Sequence, residues 1–141
     1  MKTTRTLKQA GVPLNILLAP VIPVLTDREM EMILQAVAQA GADTANYILL
    51  WLPGELLAFF TEWLQQHYPD RANHVIQQIQ QRRHRKHYVA SFEHRASGHG
   101  HIADMISQRF KLARQKNRLT QKPNQLNCEL FQPHPVLIVS F

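Results

Sequence analysis

Two runs that are apolar on both alternating faces constrain this chain more than any other feature. Val12 to Val24 reads V-P-L-N-I-L-L-A-P-V-I-P-V, and Ala45 to Leu52 reads A-N-Y-I-L-L-W-L. A strand with one wet face alternates apolar and polar residues, whereas a strand covered on both faces of a parallel sheet has no need to. Between the two runs, Thr26 and Glu29 have the spacing of a capping box and Leu25 is placed to staple against Met30. Met30, Ile33, Leu34, Val37 and Ala38 then follow one helical face up to Gly41, the expected stop. Strand, helix, strand is a βαβ unit, whose crossover is expected to be right-handed. Pro20 and Pro23 are expected to end or bend the first strand, and Pro53-Gly54 halts the second.

The flanks are helical in pattern. Thr3 to Ala10 has the character of the last turns of a helix capped by Gly11, so the chain is expected to begin mid-element. After Pro53, Leu56, Phe59, Phe60, Trp63 and Leu64 form a wide apolar stripe ending at Tyr68-Pro69. Asp70 is placed to cap a further helix carrying Ala72, Val75, Ile76 and Ile79. Gln81 to Gly100 is polar, basic and His-rich and reads as loop, followed by a helix with Ile102, Met105, Ile106, Phe110 and Ala113 inward. Beyond Arg118 the tail reads as extended, with Val136 to Val139 as its single strand candidate. Two doubly covered strands require neighbours that this chain does not supply, so the sheet is expected to be incomplete. A homodimer that completes the sheet across chains is the alternative.

Composition narrows the function classes. No stretch of the 141 residues approaches the roughly 20 apolar positions of a spanning helix, and Met1 to Gln9 lacks a signal-peptide apolar region. A cytoplasmic protein without membrane contact is the expectation. The single cysteine, Cys128, excludes an internal disulfide, a Cys-rich zinc site and a thiolate set for an iron–sulfur cluster. The formal charge is +6. Ten basic residues against two acids fall between Arg82 and Arg118, and a local field of that sign attracts polyanions. Arg82, Arg83, Arg85, Lys86, Arg109, Lys111 and Arg114 are accordingly the candidate nucleic-acid contacts. The plain alternative is a solvated basic face.

Other constellations carry less chemistry. His84, His87, His94, His99 and His101 lie within eighteen residues, but no carboxylate or cysteine accompanies them at a fixed helical offset, so no metal site is assigned. The acids Asp27, Glu29, Glu31, Asp43, Glu55 and Glu62 read as single residues at helix starts or on exposed faces, and no acid/base dyad is formed. Trp51, Trp63, Tyr68 and Phe59 read as core residues rather than stacking platforms. Gly98-x-Gly100 before a helix is a weak phosphate-cradle signal.

Four segments carry a resemblance to a known family. They are A-G-V-P-L-N-I-L-L-A-P-V-I-P-V-L-T-D (Ala10 to Asp27), L-P-x-E-L-L-x-F-F-x-x-W-L with H-Y-P-D-R-A (Leu52 to Ala72), G-x-G-x-x-A-D-M-I-x-Q-R-F (Gly98 to Phe110) and L-N-C-E-L-F (Leu126 to Phe131). In this order they resemble the C-terminal part of radical S-adenosylmethionine proteins of the spore photoproduct lyase-like, or DNA repair photolyase-like, group. The resemblance implies an α/β fold that is a fragment of a partial (β/α) barrel: residues 1–53 as a late βαβ part, 54–118 as a helical extension with a basic surface, and 119–141 as an extended tail. It implies a lyase-like radical chemistry in the intact family protein, where a [4Fe-4S] cluster held by C-x-x-x-C-x-x-C and S-adenosylmethionine work together. This chain lacks that motif, so alone it is expected to bind no cofactor and to be inactive. Ala19, Pro20, Val21, Ile22, Leu50 and Trp51 are the positions implied to line the adenosylmethionine site, as wall residues and not as catalysts. The missing N-terminal barrel half becomes an implied partner. Two positions depart from the family pattern, Trp51 where relatives tend to be basic and Val24 where they have glycine. The rival reading is a small basic nucleic-acid-binding protein or a partner subunit.

Overall fold

A computed structural model of the chain describes residues 1–53, 55–83, 100–120 and 129. The elements are α1 (Lys2–Gln9), β1 (Asn15–Val21), a short 3-10 turn (Asp27–Glu29) leading into α2 (Met30–Gln39), β2 (Thr44–Leu49), α3 (Leu56–His67), α4 (Pro69–Arg83) and α5 (His101–Lys116). β1 and β2 pair in parallel, Asn15 opposite Thr44 and Leu18 opposite Tyr47, with an irregularity between Leu18 and Val21. The expected βαβ unit is therefore present, and the kink falls at Ala19-Pro20, where the proline has no N–H to give to the ladder. Thr120 adds a single parallel bridge at Thr44 on the other edge of β2.

One face of the sheet is the core. Ile16, Leu18, Ala45, Tyr47 and Leu49 point at α2 and α5, which contribute Met30, Leu34 and Val37 and Ala103, Ile106, Phe110 and Ala113. The Tyr47 and Phe110 rings meet with centroids 4.6 Å apart. Period-2 strands and period-3.6 helices thus converge on one apolar layer. The opposite face differs from the expectation of double cover. Asn15, Leu17 and Ala19 of β1 are exposed, Leu17 to 53%. No element of the described residues lies over them, which is why an apolar strand stays half wet.

Several local details also depart from the sequence reading. Thr26 makes no capping bond to the helix; its hydroxyl accepts the Ile22 N–H at 2.8 Å, and the 3-10 turn takes over the helix entry. Pro69, not Asp70, sits at the start of α4, with the Tyr68 carbonyl accepting from Arg71 and Ala72, because proline's fixed φ suits a first helical position. Gln81 to Arg83 form the last turn of α4 instead of loop. Met105 faces solvent, and Ala103 takes the inward place. Gly11 and Gly41 behave as expected, with φ of +77° and +96°. Residues 84–99 and the Val136 to Val139 candidate lie outside the described residues. No helix among the described residues is long and apolar enough to cross a membrane.

Candidate functional site

In a parallel sheet the ends to which the strands run are the usual ligand crevice, because helix N-termini and loops converge there. Here that end is bounded by the residues that follow Val21 and Leu49. The main chain joins the two strands as they leave the sheet, Leu50 N–H donating to the Val21 carbonyl at 2.8 Å. The α3–α4 pair closes over the same end. Leu64, Ala72, Val75 and Ile79 form a second apolar cluster, and Ile22, Val24, Leu25, Leu50 and Leu52 pack against it.

The six expected wall residues are thereby split. Val21 is buried in the first core cluster and Ile22 and Leu50 lean on the second. Ala19, Pro20 and Trp51 are exposed, Trp51 to 57%. Ala19, Pro20 and Trp51 are thus the three of the six that lie on the surface, while Val21, Ile22 and Leu50 pack inward.

Val24 has a φ of +71°, in the left-handed region. A β-branched side chain there crowds its own backbone, and the usual occupant is glycine. It sits in the turn where the Ile22 carbonyl accepts from Leu25, Thr26 and Asp27, so the tight reversal after β1 imposes the conformation.

The candidate basic contacts are also divided. Arg109 is not a loose cation: its Nε and Nη2 donate to the two carboxylate oxygens of Glu31 at 2.7 and 2.9 Å. Nη1 donates to Asp27 Oδ2 at 2.7 Å and Nη2 also reaches the Asp27 carbonyl at 2.8 Å. The fork geometry of guanidinium suits this bidentate work. The hydrogen bonds from Arg109 hold the Glu31 carboxyl below its ordinary range, and those carboxylates raise the Arg109 pKa. Arg109, expected as a phosphate contact, thus clamps α5 to the start of α2 through Asp27 and Glu31. Asp27, read as an ordinary helix-start acid, is buried, and its Oδ1 has no hydrogen-bond partner. Arg114 lies with its Cζ 6.0 Å from the Phe110 ring centroid. Lys111 is exposed. Arg82 and Arg83 lie in the last turn of α4, and Arg85 and Lys86 lie outside the described residues.

The aromatic residues read as core are on the surface instead. Phe59 is 69% exposed, and Trp51, Trp63 and Tyr68 are exposed as well. Trp63 gathers Phe60, His67 and Tyr68 around it, with ring centroids 5.7, 5.2 and 5.5 Å away. Only Leu64 of α3 is fully buried, since the helix packs along one side, on α4 and the residues that follow the strands.

The sequence reading missed the Asp27–Glu31–Arg109 cluster. Its one sequence signal is the four-residue spacing of Asp27 and Glu31, which sets two carboxylates one turn apart; nothing local names the arginine. His101, at the start of α5, is the one member of the histidine group among the described residues, and these hold no group of three His, Cys, Asp or Glu suited to a metal ion. No family model, curated protein or solved structure matches the chain.

Proposed function

We propose that this chain is a non-catalytic wall of a larger α/β assembly of the radical S-adenosylmethionine type, resembling the late part of a DNA repair photolyase-like protein. The observation that carries the reading is Val24. The resemblance expects glycine at the turn after P-V-I-P, and the backbone there has the φ of +71° that glycine tolerates and valine resists. A position whose conformation suits the family's residue better than its own supports a shared turn. The half-covered sheet adds weight, because Leu17 and Ala19 lie bare on the face that a further helix of a parallel sheet would cover.

In this reading Ala19, Pro20 and Trp51 form the reachable part of the adenosylmethionine wall. The cofactor pair would supply reductive cleavage to a radical. The residues of this chain do not fit the cluster itself, since one cysteine cannot provide its thiolates, and no step is assigned to them. The test is to translate the DNA upstream of the Met1 codon in frame. An open frame encoding C-x-x-x-C-x-x-C supports the reading; a frame closed just upstream, with no separate cluster-bearing gene product that binds this chain, removes it.

The second reading, nucleic-acid contact, is favoured by one observation: Lys111, Lys116 and Arg118 are all exposed near the end of α5. It requires a log–log salt slope of roughly −0.9 per phosphate contact for duplex DNA. Binding that is indifferent to salt rules it out.

A further inference from the structure

The exposed rings of α3 do not serve the wall. Leu56, Phe59 and Trp63 follow one another at i, i+3 and i+7, so they share a face, and all three are exposed. Glu55 and Glu62 lie one turn before and after Phe59 and are exposed too. Between Pro53 and Asp70 there is no lysine or arginine. Ring faces are electron-rich and carboxylates are anionic, so the stripe suits an apolar surface that also carries cations. It is a poor match for phosphate, which its acids repel.

α5 has that complementary chemistry on its outer face. Its buried side is Ala103, Ile106, Phe110 and Ala113. On the opposite side Met105 and Leu112 are exposed, Leu112 to 65%, with Lys116 one turn beyond Leu112. Glu62 and Lys116 are in no ion pair among the described residues. One chain thus displays an acidic aromatic helix and a basic aliphatic helix, both uncovered among the described residues.

We propose that α3 of one copy docks on α5 of a second copy, with Phe59 and Trp63 covering Met105 and Leu112 and Glu62 meeting Lys116. A two-fold axis makes the contact twice and leaves neither stripe open.

Sedimentation velocity of the whole chain across a micromolar concentration series tests this. A dimer is expected. Glu62→Lys and Lys116→Glu should each weaken it by roughly tenfold or more, since like charges then face each other. The double variant should return to within about threefold of the starting affinity, because the reversed charges again attract. Circular dichroism of each variant should match the parent, both sites being exposed. A chain that stays monomeric throughout, a dimer indifferent to both reversals, or single losses that the double variant does not recover would each overturn the proposal.

Discussion

Arg109 and Asp27 lie 82 positions apart and meet at 2.7 Å, Nη1 to Oδ2, while the same guanidinium grips Glu31 with its other edge. The pair ties the last described helix to the entry of the crossover helix, beside the core layer of Met30, Leu34 and Phe110. Replacing Arg109 by methionine keeps most of the stem and leaves Asp27 buried without its cation. The expected loss is about 1–3 kcal/mol, below that of a fully buried pair because Arg109 is partly exposed. Arg109→Lys should recover only part of it, since an ammonium cannot fork between two carboxylates. Urea unfolding midpoints at constant slope measure both.

The same clamp sets an acid dependence. The Glu31 carboxyl lies below its ordinary 4.5, chiefly through the Arg109 hydrogen bond. A carboxyl depressed on folding adds stability that is full above the ordinary value and drains away as pH falls through the lower, folded one. Unfolding free energies taken downward from about pH 6 should therefore decline below about 4.5. Arg109→Met should flatten that decline; an unchanged slope would mean that the drop comes from other groups, Asp43 first among them.

Val24→Gly is expected to be neutral or stabilising, by up to about 1 kcal/mol. Relief of a left-handed valine is worth roughly 1–2 kcal/mol, offset by glycine's entropy in the unfolded chain and by lost packing on the second cluster. Most truncations of an apolar residue in such a cluster lose stability outright, so thermal melting separates the two outcomes. A clear loss of stability would show that the positive φ carries little strain.

How far the sequence was legible depended on how local each cause was. The βαβ unit, the Gly11 and Gly41 stops and four of the five inward residues proposed for α5 follow from periodicity and from glycine's freedom at positive φ. Cover is not local. Leu17 and Leu18 look alike in sequence, and only the side on which α2 and α5 pack decides that Leu18 is sheltered and Leu17 wet. The exposed aromatic residues of α3 follow the same rule: size and apolarity argue for burial, but a helix packed along one side buries one face. Arg109 looked like its basic neighbours because its carboxylate partners come from the other end of the chain.

Asp43 and Lys8 should differ in consequence although they form one ion pair. Asp43 also accepts the Leu14 N–H through Oδ2 at 2.9 Å, and both contacts depress its carboxyl. α1 buries no residue, so Lys8→Met should cost no more than about 0.5 kcal/mol and mainly fray that helix. Asp43→Ala removes the acceptor at the entry to β1 as well and should cost about 1–2 kcal/mol. Amide hydrogen exchange at Leu14 reads the difference: faster in the aspartate variant, unchanged in the lysine variant.

The central claim is that this βαβ unit lines a barrel whose cluster is held elsewhere. It is tested most directly by expressing, without oxygen, the entire open reading frame that contains this chain and recording its visible spectrum and the fate of added S-adenosylmethionine. An iron–sulfur absorption band with release of 5′-deoxyadenosine, both absent from the 141-residue chain prepared identically, is the expected result. A colourless product that leaves S-adenosylmethionine intact would contradict it.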